Sequence, residues 1–330
     1  MRRREVIAFL GGAAASTVLA PCMVRAQQPA LPVIGFLSSR APDDAPELLA
    51  AFLQGLKDAG FVEGQNVTIE YRFAGNQNDR LPALAADLVR RQVTVMAAPT
   101  TPAALAAKAA TATIPVVFAT AGDPIRLGLV ASLNRPGGNV TGVTLLFVEV
   151  AAKRLELLHE LIPAATVVGL LVNPTNPPIA EANAGAVLSA AHSLGLELHV
   201  LKASTEPDFE SVFANLVQLR AGGLVIGGDP FFTGRQEELA ALAARYAVPT
   251  VYENREFVAA GGLMSYGGNL PDAYRLSAAY TARILKGEKP ADLPVQQSTK
   301  VELLLNLKTV KALGITAPLS LLGRADEVIE

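Results

Sequence analysis

Short apolar runs separated by amphipathic stretches recur along this chain, and several of them occur twice. Val33–Leu37 returns as Val167–Leu171, and Ile114–Phe118 returns as Val248–Tyr252, both 134 positions later. The other two repeated pairs are Val93–Met96 with Gly223–Ile226, at an offset of 130, and Gly137-Gly138 with Gly261-Gly262, at an offset of 124. Four short matches in the same order predict two similar lobes that face each other across a cleft, where small molecules bind.

Between these runs the apolar residues have helical spacing. Leu48, Phe52 and Leu56, for example, share one face of a predicted helix that ends at Gly60. Valine-rich strands that alternate with helices predict parallel sheets with right-handed crossovers. The predicted fold class is therefore α/β, with two doubly wound parallel-sheet lobes. We place the first lobe at residues 32–145 plus about 270–300 and the second at 146–269, and 301–330 can pack on either.

The first 26 residues have the pattern of an export signal. Arg2–Arg4 precede a short apolar segment, and Val24–Ala26 offers the small residues at which a signal peptidase cleaves. Arg3–Ile7 fits the twin-arginine pattern, which we prefer to the general export route. The alternative is an N-terminal membrane anchor, which Gly11 and Gly12 disfavour. We predict a twin-arginine-like signal peptide at 1–26 and a periplasmic location.

Cleavage after Ala26 changes the chemistry of the chain. It removes the only cysteine, Cys22, and Pro21 before that cysteine argues against a lipid anchor. It also removes four arginines and one glutamate, so the formal net charge goes from −2 to −5. An acidic balance argues against a nucleic-acid partner. The rest of the chain has no apolar run of about 18 residues, so we expect a soluble protein. We also expect a monomer.

Polar residues follow the predicted strands in both lobes. Ligands of parallel sheets bind beyond the carboxyl ends of the strands. The resulting candidates are Ser38, Ser39, Thr100, Thr101, Thr120 and Asp123 in the first lobe, and Asn173, Thr175, Asp229, Phe231, Glu253 and Asn254 in the second. Tyr252 and Tyr266, with Phe232, are candidates for an aromatic wall beside Phe231.

This set matches the needs of a small zwitterion. Hydroxyls and free N–H groups at helix starts hold a carboxylate, and Asp or Glu from the facing lobe pairs with an ammonium group. Each residue also has a structural alternative. Ser38 and Ser39 can cap a helix, Asp123 and Asp229 can be turn residues before proline, and the aromatic residues can be core.

Signals of catalysis are scarce. His159 and His192 fall in predicted helices and His199 in a strand, and none has a partner at metal-ligand spacing. The chain has no GxSxG elbow, no P-loop and no GxGxxG after a strand. We therefore expect no catalytic residues, no metal and no cofactor.

Several longer stretches have a distinctive combination of motifs: Ile114–Phe118, Gly122–Pro124, Gly128–Leu133, Arg135–Gly142, Ile284–Pro294 and Arg324–Glu327. Together they resemble a family of ABC-transporter substrate-binding proteins that includes tryptophan- and tyrosine-type uptake receptors. The resemblance covers essentially the whole mature chain. It implies a type I periplasmic-binding fold, in which three hinge crossovers join the lobes, and an inner-membrane ABC permease as partner.

Our functional hypothesis is a periplasmic receptor that closes on a small polar organic ligand. An amino acid, aromatic or branched, or a related carboxylate is the leading ligand class. One alternative is an exported enzyme that uses the same cleft, with Asp123 or Asp229 as its base. The other is a sensory receptor for a signalling partner.

Overall fold

The computed structural model of the protein describes residues 31–145, 147–298 and 300–330. The predicted signal peptide and Cys22 lie outside the described residues. The strands are β1 Val33–Ser38, β2 Thr68–Phe73, β3 Val95–Ala98, β4 Val116–Thr120, β5 Val140–Thr144, β6 Val167–Val172, β7 Glu197–Lys202, β8 Gly223–Ile226, β9 Thr250–Tyr252, β10 Met264–Gly268, β11 Gln296–Gln297, β12 Val301–Asn306 and β13 Glu327–Ile329.

The helices lie between the strands. They are α1 Pro46–Asp58, α2 Leu81–Arg90, α3 Thr101–Ala110, α4 Ala151–Leu161, α5 Pro177–Leu194, α6 Glu206–Gln218, α7 Pro230–Thr233, α8 Gln236–Arg245, α9 Arg255–Ala259, α10 Leu270–Leu285, α11 Leu307–Ala312 and α12 Leu319–Leu322. Proline occupies the first or second position of α1, α2, α3 and α5. A helix start tolerates proline because the missing N–H has no partner there in any case.

The strands form two sheets of the same design. The first has the order β11-β5-β4-β3-β1-β2, and the second has the order β13-β12-β10-β9-β8-β6-β7. The first five strands of each lobe therefore follow one order, β2-β1-β3-β4-β5 and β7-β6-β8-β9-β10. Three of the repeated sequence pairs fall in equivalent strands: β1 with β6, β3 with β8, and β4 with β9. The predicted fold class, two doubly wound lobes, is confirmed.

One strand pair departs from the expected parallel arrangement. β12 pairs antiparallel with β10, with Gly268 opposite Val301 and Met264 opposite Leu305. β10 ends at the cleft, and β12 begins there after the chain returns from the first lobe, so the two strands run in opposite directions. β13 then pairs parallel with β12. The last thirty residues thus extend the second sheet.

Helices cover both faces of each sheet. In the first lobe Phe36 and Val117 belong to one core cluster, whereas the next residues, Leu37 and Phe118, belong to another. This alternation follows from the two-residue period of a strand. A Cβ at Gly55 of α1 would lie 2.7 Å from the carbonyl oxygen of Arg275, so α1 and α10 pack in close contact because this position is glycine.

In the described part of the chain, three connections run between the lobes. They lie between β5 and α4, at Asn269 between β10 and α10, and between β11 and β12. The carboxyl ends of the parallel strands of both sheets point toward the space between the lobes. In the described part of the chain, no helix has the length and apolar character needed to cross a membrane.

Candidate functional site

A small cavity lies between the two lobes. Clefts between domains are common places for small molecules to bind. The lining comes from both lobes: Arg40, Pro99, Thr100, Thr101, Ala119, Ala121, Leu145 and Leu270 from the first, Asn176, Ile179, Gly228, Asp229, Pro230, Thr233 and Glu253 from the second, and Phe147 from the first connection. Four of the predicted site residues, Thr100, Thr101, Asp229 and Glu253, are in this lining.

The amino end of α3 forms the hydroxyl-rich wall. Thr100 and Thr101 are buried, and the hydroxyls of Thr101 and Thr120 lie 2.8 Å apart. The Thr100 hydroxyl accepts a hydrogen bond from the backbone N–H of Ser39 at 3.3 Å. The side chain of Thr100, which precedes α3, makes no capping hydrogen bond, and Pro102 at the second position has no N–H. The N–H groups of Thr101 and Ala103 lie at this helix start, where the helix dipole favours an anion.

Arg40 adds a cation that sequence reasoning missed. The residue is 5% exposed, lines the cavity and donates from Nη1 to the carbonyl oxygen of Pro230 at 2.6 Å. Its backbone N–H donates to the hydroxyl of Ser38 at 3.2 Å. Among the described residues its Nε has no hydrogen-bond partner. The available signal was its position, directly after the Ser38-Ser39 pair at a strand end.

Asp229 lies on the opposite wall in a network of donors. Its Oδ1 accepts from Asn173 Nδ2 at 2.8 Å and from the N–H of Phe231 at 2.9 Å, and its Oδ2 accepts from Asn176 Nδ2 at 2.8 Å. Burial raises the pKa of Asp229 and these three donors oppose that rise. The donors fix the carboxylate in place and favour its ionised form.

Glu253 is the carboxylate that lacks such support. It is 4% exposed, and among the described residues its Oε2 has no hydrogen-bond partner. The nearest cation is Arg154, whose Nη1 lies 3.9 Å from Oε2. Burial raises the pKa of Glu253 to about 7. A Cβ at Gly228 would lie 2.0 Å from Oε2, so glycine at that position leaves the room this side chain occupies.

Other predicted polar residues lie outside the lining. Ser39 is buried behind Thr100, and the Oδ1 of Asp123 accepts from the N–H of Ile125 at 2.8 Å, as in the turn alternative. Thr175 accepts a bond across the cleft from Asn78 Nδ2, at 3.0 Å to its carbonyl oxygen.

Two polar residues of the second lobe form hydrogen bonds to lining residues without lining the cavity themselves. Asn254 donates from Nδ2 to the hydroxyl of Thr233, a lining residue, at 3.2 Å. Asn173 positions Asp229, as described above. Neither residue is itself in the lining of the cavity, among the residues that the structure describes.

The predicted aromatic residues pack in the second lobe instead of forming a wall. Phe231 and Phe232 stack around Phe209 in a core cluster that also contains Tyr252. Tyr266 packs against the cluster on the other face of the sheet. The Tyr252 hydroxyl lies 3.1 Å from that of Thr233, a lining residue, but its ring is in the core. Being near a strand end therefore does not place an aromatic ring in the cavity. The apolar wall consists of Leu145, Phe147, Ile179 and Leu270.

Direct contacts hold the lobes together beside the cavity. Arg235 of the second lobe donates from Nη1 to Oδ2 of Asp44 in the first, at 2.7 Å, and from Nε to Glu206 at 3.0 Å. Asn76 also donates to Oδ2 of Asp44 at 2.7 Å. Burial raises the pKa of Asp44, but these donors outweigh it and lower the pKa overall. The carboxylate of Asp44 therefore stays ionised at neutral pH.

The site thus has opposite charge preferences on its two walls. The first lobe offers Arg40 and the amino end of α3 for an anion, and the second offers Asp229 and Glu253 for a cation. In the residues that the structure describes, no cluster of side chains has the composition of a metal site. The arrangement is suited to binding a small molecule that carries both charges and an apolar side chain.

A profile of the family described as ABC transporter substrate binding protein matches residues 33–329 of this chain. The chain is also similar to a tyrosine-binding protein from Clostridioides difficile (strain R20291). The two are 27% identical over 269 residues, which cover 80% of this chain and 75% of that protein.

Two solved structures share this fold. One is an ABC domain in complex with L-Trp from Streptococcus pneumoniae, with a TM-score of 0.80, 24% identity and coverage of 91% of this chain and 100% of that one. The other is a ligand-free, open substrate-binding protein with adhesive properties from Clostridium difficile, with a TM-score of 0.62, 24% identity and coverage of 91% and 99%.

Proposed function

Because the chain belongs to the family of ABC transporter substrate-binding proteins, we propose that it is a periplasmic receptor that closes on an amino acid and delivers it to an ABC permease in the inner membrane. The observation that carries the ligand class is the separation of charge preference across the cavity. The ligand carboxylate binds the amino end of α3 and Arg40, and its ammonium group binds Glu253 and Asp229. Hydrogen bonds between ionised groups are the stronger kind.

The lining of the cavity supports an apolar side chain on that amino acid. Leu145, Phe147, Ile179 and Leu270 form its apolar wall. The relative named for tyrosine binding and the structure in complex with L-Trp support an aromatic amino acid. L-Tyrosine and L-tryptophan are therefore the first ligands to test.

A thermal-shift panel on the mature protein tests the proposal. L-Tyrosine or L-tryptophan at 100 times its dissociation constant is expected to add about 2.7 kcal/mol to the free energy of unfolding. Tyramine lacks the carboxylate and 3-(4-hydroxyphenyl)propanoate lacks the ammonium group, so we expect neither to shift the melting temperature at the same concentration. A panel in which no amino acid raises the melting temperature contradicts the ligand class.

The same panel addresses the alternatives. Recovery of the ligand chemically unchanged after long incubation is the result expected of a receptor, and conversion to a product is the result expected of an exported enzyme. The periplasmic location rests on the export pattern in residues 1–26. Cell fractionation with and without that segment tests it, and co-purification with a permease separates transport from sensing. We expect the purified receptor to be a monomer.

The bridge between Asp44 and Arg235 gives a further prediction. Arg235→Gln removes a cross-lobe ion pair whose side chains are 12% and 17% exposed. The closed state should lose about 1 kcal/mol, since partly exposed pairs contribute about that much. We expect a roughly fivefold weaker affinity for L-tyrosine by calorimetry. Arg245→Gln is the control because Arg245 pairs with Glu210 inside the second lobe. Equal losses in both variants would contradict a role for the bridge in closure.

A further inference from the structure

A fully buried arginine lies behind the cavity. Arg154 is on the core face of α4, between Ala151 and Leu155, and its side chain is 0% exposed. The pattern of α4 contained this signal, because a cation occupies the stripe that apolar residues otherwise fill. Burying a charge is unfavourable unless it has partners, so the partners of this guanidinium explain its presence.

Two of those partners lie in or just before connections between the lobes. Nη2 donates to the carbonyl oxygen of Phe147 at 2.9 Å, in the first connection. Nη1 donates to the carbonyl oxygen of Tyr266 at 3.3 Å, on β10 shortly before the second connection at Asn269. The Phe147 ring lines the cavity and would be 3.5 Å from a Cβ at Gly268. The two connections therefore meet at Arg154.

The third partner is the cavity carboxylate. The Oε2 of Glu253 is 3.9 Å from Nη1 of Arg154. The other charged or titratable groups that act on Glu253 are Asp229, Arg40 and the neighbouring Tyr252. Arg40 comes from the facing lobe, so within the second lobe Arg154 is the cation that favours the ionised form of Glu253.

We propose that Arg154 is a positioning residue that couples the ammonium-binding carboxylate of Glu253 to the hinge between the lobes. One rigid guanidinium bonds a carbonyl in the first connection and a carbonyl of β10, the strand that leads into the second, and it lies 3.9 Å from the carboxylate. A ligand drives closure only if it binds the closed state better than the open one. When a ligand's ammonium group binds Glu253, the guanidinium keeps a fixed distance between the carboxylate and the two bonded carbonyl groups. The backbone of both connections is thereby held in its closed geometry. The coupling rests on the proposed function, because it needs a ligand with an ammonium group.

Two substitutions separate the charge of Arg154 from its fork geometry. Arg154→Lys keeps a cation near Glu253, but an ammonium on a flexible stem does not reproduce the two-pronged bonding to both carbonyls. We expect this variant to keep the pH dependence of L-tyrosine affinity, to bind about tenfold more weakly and to close incompletely in small-angle scattering at saturating ligand. Arg154→Gln loses the charge, and the pH midpoint of affinity should rise by roughly one unit.

Lys153→Gln is the matched control, since Lys153 is the exposed neighbour on the same helix and pairs with Glu156. It should match the unchanged protein in affinity, closure and pH midpoint. Full closure of Arg154→Lys at saturating ligand would overturn the hinge role, and an unshifted midpoint in Arg154→Gln would overturn the charge role.

Amide hydrogen exchange of the ligand-free protein keeps the two proposals distinguishable. In Arg154→Lys, residues 147–150 and 264–268 should exchange faster than in the unchanged protein, and in Lys153→Gln they should not. If the unchanged protein binds neither L-tyrosine nor L-tryptophan, the amino-acid function fails, whereas the exchange result still decides whether Arg154 fixes the connections. Unchanged exchange at both segments would overturn the inference.

Discussion

Glu253→Gln is expected to weaken the binding of L-tyrosine about 100-fold, a loss of roughly 3 kcal/mol. The change keeps the size of the side chain but removes the charge that pairs with the ligand's ammonium group. Because Glu253 is buried, solvent replaces that partner poorly. Isothermal titration calorimetry at pH 8, where the carboxylate is ionised, measures the effect.

The control for this variant is Glu256→Gln, three residues further along the chain on α9. Glu256 is half-buried, but it is outside the cavity lining described above. We expect its affinity to remain within twofold of the unchanged protein. Circular dichroism of the thermal transition should show that both variants fold. If Glu253→Gln binds L-tyrosine as tightly as the control does, Glu253 is not the ammonium partner.

The pH dependence of stability and of affinity should have opposite signs. Burial raises the pKa of Glu253 to about 7 from an ordinary 4.5. Between these values the folded state holds a proton that the unfolded state has released. The free energy of unfolding of the ligand-free protein should therefore fall by roughly 3 kcal/mol as the pH rises from 4.5 to 8. Affinity should rise about tenfold per pH unit up to pH ~7, because the ligand requires the ionised carboxylate.

Urea denaturation at pH 5, 6, 7 and 8, with and without L-tyrosine, measures both trends. Asp229 and other groups also titrate over this range, so the comparison that matters is with Glu253→Gln. That variant should lose the share of the pH dependence that belongs to Glu253 and should bind with little change across the range. An unchanged pH slope in the variant would show that another group is responsible.

Most of the fold could be predicted from the sequence because the repeated apolar runs mark the equivalent strands of the two lobes. The doubled runs beginning at Val33 and Val167 became equivalent strands, and the apolar runs between glycine and proline stops became the parallel core. The family resemblance was confirmed as well. The strand at Val301–Asn306 was missed, since its identity depends on pairing with β10 after the chain returns between the lobes. Its sequence, VELLLN, does not distinguish a strand from a buried helix.

The site was less predictable because the rule that ligands bind at strand ends gives the position of a residue but not the direction of its side chain. Tyr252 and Glu253 are adjacent, yet the first packs in the core and the second lines the cavity, as the alternation of a strand requires. That Glu253, Asp229 and Thr100 contact a ligand stays a prediction. Arg154 was missed because an arginine within a helix is ordinarily assigned to the solvent face.

Neither lobe is encoded by one continuous stretch of the gene. The first sheet takes β11 and the first core takes α10, both from beyond residue 269, and the second sheet takes β12 and β13 from the far end of the chain. During translation, neither core can therefore be completed until the last strands have been synthesised. A late stop codon consequently damages the second lobe directly, and one placed before α10 leaves both lobes unfinished.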